Sequence, residues 1–85
     1  MNINKQEILE NSCYTTLVYE RINKKLNSDF SKKQIEVFLM QVLKEDASVY
    51  VKKGKNYYVT NTEHNIRITI NSNTFRIITV DRIRK

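Results

Sequence analysis

The chain reads as an α+β protein: about three N-terminal helices packed on one face of a four-stranded antiparallel sheet. Three observations predict this. Apolar residues in the first 47 positions recur at helical spacing. From residue 48 onward they alternate with polar ones, as on a strand with one buried face. The polar breaks between these alternating runs are short enough for hairpins. Runs of helices followed by runs of strands are the pattern of segregated α+β folds.

Asn4 is placed to cap a first helix from Lys5 to about Ser12, with Ile8 and Leu9 as its apolar contacts. Thr15 or Thr16 starts a second helix reaching about Leu26. Val18, Ile22 and Leu26 lie four apart on one side, with Leu17 beside them. Ser31-Lys32-Lys33-Gln34 is a capping box, flanked by Phe30 and Ile35 as a hydrophobic staple. The third helix that follows carries Ile35, Phe38, Leu39, Val42 and Leu43 on one stripe. Val49–Lys53 and Asn56–Thr60 then read as two strands joined by Gly54-Lys55, a two-residue turn with glycine first. Asn61 to His64 reads as a polar loop. The central hairpin is Asn65 to Val80, closing over Ser72-Asn73. In that register Ile70 faces Phe75, Ile68 faces Ile77, Thr69 faces Arg76 and Arg67 faces Ile78. One side of the sheet is then apolar and the other cationic, and a one-residue slip would bury the arginines. Asp81 to Lys85 is a basic tail.

Eighty-five residues make one domain, 1–85, with a helical half at 1–47 and a sheet half at 48–85. No apolar run approaches the roughly 18 residues of a membrane span, and Met1 to Lys5 lacks the apolar core of a signal peptide. The single cysteine, Cys13, excludes an internal disulfide and reads as a small core residue, consistent with a reducing, cytoplasmic location. One Cys and one His do not make a zinc site, so no metal or other cofactor is expected.

Charge is uneven. Seven Lys/Arg and seven Asp/Glu cancel over 1–47, whereas eight Lys/Arg oppose only Glu63 and Asp81 over 48–85. The whole +6 therefore resides in the strand half. A field of that sign attracts phosphates or acidic protein surfaces. The candidate binding residues are Lys52, Lys53, Lys55, Tyr57, Arg67, Arg76, Arg82 and Arg84, with Thr69 and Tyr50 beside them. Basic side chains contact phosphates and tyrosines stack on unpaired bases. Lys52-Lys53-Gly54-Lys55 has neither the spacing nor the Ser/Thr of a nucleotide-binding loop. A second set, His64, Arg67, Arg76 and Thr79, has the residue types of a metal-free ribonuclease, with a proton-transfer group and cations for the phosphorane.

The run Lys53-Gly54-Lys55-Asn56-Tyr57-Tyr58-Val59, with Ile68-Thr69-Ile70-Asn71 and Thr74-Phe75-Arg76-Ile77-Ile78-Thr79, resembles a family of short bacterial and phage-borne proteins that carries a domain-of-unknown-function label. The resemblance covers most of the chain and implies a stand-alone cytoplasmic protein. Helices followed by a four-stranded sheet with a threonine in the last strand are also similar to the barnase, colicin-ribonuclease and RelE-type toxins. The expected function is a non-catalytic binding protein. Its partner is RNA, single-stranded DNA or an acidic nucleoprotein surface, and no membrane is involved. A phage-borne, anti-CRISPR-like inhibitor of a nucleic-acid-guided defence complex fits such a chain. A small endoribonuclease toxin is one alternative. A structural protein self-associating through an edge strand, such as the last, is another. The chain is expected to be a monomer or dimer.

Overall fold

The computed structural model describes residues 3–83, so Arg84 lies outside the described residues. Three helices, α1 (Lys5–Asn11), α2 (Thr16–Leu26) and α3 (Lys32–Lys44), precede four strands, β1 (Ser48–Lys53), β2 (Asn56–Asn61), β3 (Ile66–Asn71) and β4 (Ile77–Arg82). The strands form one antiparallel meander in the order β1-β2-β3-β4. No helix among the described residues is long and apolar enough to cross a membrane.

The helix ends follow from local chemistry. Asn4 Oδ1 accepts the Glu7 amide at 3.0 Å and starts α1. Helix α2 stops where Asn27 turns left-handed, at φ 53° and ψ 49°. Asn23 then holds the short link to α3, bonding Ser28 and both backbone groups of Phe30. The capping box of α3 is complete: Gln34 N–H donates to Ser31 Oγ at 3.1 Å, and Ser31 N–H donates to Gln34 Oε1 at 2.8 Å. Ser31→Ala should therefore destabilise the protein by about 1 kcal/mol, read from the urea midpoint at unchanged slope.

Buried side chains from all three helices and three strands form one core: Ile8, Val18, Ile22, Leu26, Ile35, Leu39, Val42 and Leu43 with Val59, Ile66, Ile68, Ile70, Ile77 and Val80. Leu17 does not join Val18, Ile22 and Leu26; about 100° around the helix from Val18, it is 69% exposed. Phe38 is only half-buried within the α3 stripe, and Phe30 leans on its ring at 6.1 Å. Cys13 is exposed rather than in the core, with Sγ 3.7 Å from the carbonyl oxygens of Thr74 and Phe75.

The first hairpin turns at Gly54-Lys55, with Lys53 opposite Asn56 and Gly54 at φ +63°. The second hairpin departs from the expected register. Ile70 pairs with Ile77, not Phe75; Thr69 with Thr79, not Arg76; Ile68 with Val80, not Ile77; Arg67 with Asp81, not Ile78. The cause is a longer turn. Asn71 Oδ1 accepts the amides of Asn73 and Thr74, Asn71 O accepts the Phe75 amide, and Phe75 takes a left-handed φ of 59°. Phe75 and Arg76 are thereby spent before β4 begins. A bulge between Thr69 and Ile70 then sets Ile78 and Thr79 together opposite Thr69.

Candidate functional site

The pairings divide the sheet residues between two faces. The inner face carries Tyr57, Ile70 and Ile77, then Tyr50, Val59, Ile68 and Val80, then Ser48, Asn61, Ile66 and Arg82. The outer face carries Val51, Tyr58, Thr69 and Thr79, then Val49, Thr60, Arg67 and Asp81, with Lys53 at the turn. Tyr57 was expected on the cationic side, but it points with the core residues and stacks on Phe75 at 6.5 Å. Tyr50 is also on the inner face, where its hydroxyl donates to Leu43 O at 2.6 Å. Lys52 shares that side by register, and its side chain is exposed. The outer-face tyrosine is Tyr58. Strand alternation leaves two adjacent tyrosines on opposite faces, and only the ladder decides which one is outside.

Tyr58 is half-exposed and lines a shallow depression with Val51, Lys53, Gly54, Thr60 and Arg67. The Arg67 guanidinium and the Lys53 and Lys55 amines make no hydrogen bond or ion pair among the described residues, and all three side chains are exposed. Val49 and Val51, 59% and 51% exposed, complete the β1 side. Lysines on such an edge strand discourage pairing with another strand. The last strand is less open than expected. β1 and β4 are the two edge strands; beside β4, α2 packs along the strand and Cys13 bridges to Arg76 just before it.

The remaining candidates scatter. Arg76 sits in the β3–β4 turn region, exposed, with its backbone bridged to Cys13. Arg82 is tied down, its Nη2 donating to Leu26 O at 2.6 Å at the end of α2. Thr79 Oγ1 is buried without a partner among the described residues. His64 lies at the other end of β3 from Arg76, a strand length of roughly 20 Å for six residues. It makes no hydrogen bond to Arg67, Arg76 or Thr79. The ribonuclease set is therefore not gathered at one point.

Instead His64 belongs to a polar cluster where α3 leaves for β1. His64 Nε2 is 3.0 Å from Glu45 Oε2 and its ring meets Phe38 edge-on at 5.5 Å. An ionised carboxylate only accepts, so Nε2 carries the hydrogen. Asn61 Nδ2 donates at 2.9 Å both to Glu45 Oε1 and to Ser48 Oγ, and Ser48 in turn donates to Val42 O. Lys5 Nζ reaches Lys44 O and Glu45 O at 3.0 and 3.3 Å. The last three carbonyls of α3, those of Val42, Leu43 and Lys44, thus accept from the side chains of Ser48, Tyr50 and Lys5.

The hydrogen bond from His64, and then that from Asn61, hold the Glu45 carboxyl below its usual pKa. Glu45 therefore contributes stability that is complete above the ordinary carboxylate range and is lost as pH falls through its depressed folded value. Glu45→Gln should be less stable than the wild type at pH 7, the two curves converging in acid below about pH 4. Urea unfolding across pH 3–7 checks this. Parallel curves would remove Glu45 from the cluster's acid response. No group of three His, Cys, Asp or Glu side chains placed to hold a metal occurs among the described residues.

Residues 6–81 match the family described as a protein of unknown function, DUF3781. The chain belongs to that family. The match spans nearly all of the three helices and of the four-stranded sheet. No curated protein and no solved structure matched the chain.

Proposed function

We propose that this protein is a non-catalytic binding module that holds single-stranded nucleic acid on the outer face of its sheet. In this reading α2 flanks β4 at one edge, and the helices leave the outer side of β1 to β3 open. The observation that carries it is the half-exposed Tyr58 beside Lys53 and Arg67, whose charged ends have no partner among the described residues. A tyrosine face accepts any base by stacking, and the cations beside it meet the phosphates. The net charge of +6 adds attraction at long range.

Arg67, Lys53 and Lys55 act here as phosphate contacts, Tyr58 as the stacking platform. Val49 and Val51 offer apolar surface to the sugar and base edges. Tyr57 is packed against the core and Arg82 is bonded to Leu26 O, and neither takes part. The test is fluorescence anisotropy of labelled oligo(dT) and oligo(U) with the purified protein over a range of salt. Binding should weaken steeply with salt, and blunt duplex should bind less well, because its bases cannot reach Tyr58. Equal binding of duplex and single strand, or a flat salt response, would overturn the reading.

A further inference from the structure

The outer face continues past β4 into a seam that the sequence did not single out. Arg67 pairs across the ladder with Asp81. Asp81 and Thr79 in turn line a depression with Arg21, Lys24 and Lys25 of α2. A second depression follows along the same helix, lined by Thr15, Leu17, Arg21, Arg76 and Ile78 among others. Arg21 is common to both. The seam between α2 and β4 therefore gathers four cations. The single acid there, Asp81, is already neutralised by Lys25 at 3.0 Å. The side chains of Arg21, Lys24 and Arg76 are exposed and make no hydrogen bond or ion pair among the described residues. Arg21 thus stands with Lys24 at one depression and with Arg76 at the next; like charges so placed repel, and an anion laid along the two depressions relieves that repulsion.

We infer that the α2–β4 seam is a phosphodiester-backbone site, which takes the strand leaving Tyr58 and Arg67. This rests on the reading of the outer face as a single-strand platform. The path runs across the β-strands rather than along them, from the Gly54-Lys55 turn over Tyr58 and Arg67 to Arg21, Lys24 and Arg76. Three interstrand spacings of ~4.8 Å separate β1 from β4, and the helix adds a further step of similar size or more. A footprint of that length suits the short end of the ~4–16 nucleotides held by small single-strand modules. Sequence preference is not expected in the seam, because guanidinium and ammonium groups there meet phosphates and not base edges. Asp81 keeps Lys25 in place at the junction and keeps the two cationic segments from being a single uninterrupted run.

The experiment uses the full chain, fluorescein-labelled oligo(dT) of about 12 residues, and poly-glutamate as a competitor. With three cations on the outer face and three in the seam, the slope of log K against log salt should be about −4 for the wild type, at ~0.7 per phosphate contacted. Arg21→Gln/Lys24→Gln/Arg76→Gln should bring it to about −2 and weaken binding at low salt at least tenfold. The charge-matched variant Lys32→Gln/Lys33→Gln/Lys44→Gln on α3 should leave the slope unchanged. Circular dichroism confirms that both remain folded, since all six side chains are exposed. If the seam variant keeps the wild-type slope and affinity, the seam is overturned while the outer face stands. If the α3 variant loses as much as the seam variant, diffuse charge is responsible and the seam is overturned. If the wild type fails to bind the oligonucleotide, both readings fall together. If poly-glutamate competes as well as unlabelled oligo(dT) at equal charge, the partner is an acidic protein and the phosphodiester assignment is overturned.

Discussion

Asn61→Ala should lower the stability of this protein by roughly 2–4 kcal/mol, which for a domain of this size is a fall in Tm of about 10 °C or more. Asn61 is fully buried, yet its side chain is engaged on three sides. Its amide donates to Glu45 and Ser48, and its carbonyl accepts the His64 amide at 2.9 Å. Truncation leaves the His64 N–H without its acceptor, removes two donors from the α3 junction, and opens a void beside Ile66 and Val59 in the same face of the sheet. Each buried group left unmatched costs about 1–3 kcal/mol. Asn61→Asp separates hydrogen bonding from volume. It keeps the acceptor for His64 but sets a second carboxylate against Glu45. It should be as damaging as alanine at pH 7 and recover part of the loss on mild acidification, when one of the two carboxyls takes up a proton. Urea or thermal unfolding followed by circular dichroism gives the answer. A loss under 1 kcal/mol for Asn61→Ala would show that the cluster does not fasten α3 to the sheet.

The contrast between what the sequence announces and what it hides follows from the range of each interaction. The capping box at Ser31 and Gln34 is closed within four residues, so its spacing alone identifies it. Gly54 is equally local: a two-residue turn needs a positive φ, and glycine is the residue that takes it without strain. The register of β3 and β4 depends on how many residues the turn consumes. Asn71 and a left-handed Phe75 lengthen it, and the Ile78 bulge then shifts the pairing once more. An alternation of Phe75, Ile77 and Thr79 looks like one strand face on paper, but Ile77 and Val80 are the residues buried. Asn61 reads as the start of a polar loop because nothing in its neighbourhood reveals Glu45, 16 positions earlier. The seam was hidden for another reason. The helical half is neutral as a sum, and only the packing of α2 against β4 shows that Arg21, Lys24 and Lys25 share a groove. The adjacent tyrosines carry the sharpest lesson for the candidate site. Choosing Tyr57 over Tyr58 reverses the face, and the choice rests on the ladder with β3.

That reversal yields the decisive binding experiment. Tyr58→Ala should weaken oligo(dT) binding about 5- to 100-fold, the loss of one base–aromatic stack worth ~1–3 kcal/mol. Tyr58→Phe should bind almost as the wild type, because the ring face and not the hydroxyl does the stacking. Tyr57→Ala should do the opposite: it opens a gap against Phe75 and Ile70, lowers the urea midpoint, and leaves affinity unchanged once the folded fraction is accounted for. Arg67→Glu tests the neighbouring charge. An exposed arginine on the outer face can be reversed without burying a charge, so stability should move by less than about 0.5 kcal/mol while binding at low salt falls at least tenfold. The chain has five tyrosines and no tryptophan, so stacking on Tyr58 should also quench part of the intrinsic tyrosine emission, and Tyr58→Ala should abolish that part. Wild-type affinity in both folded Tyr58→Ala and folded Arg67→Glu would mean that nucleic acid, if bound at all, lies elsewhere. Loss in Arg67→Glu alone would instead describe a purely electrostatic surface, with no platform for bases and no reason to prefer single strands.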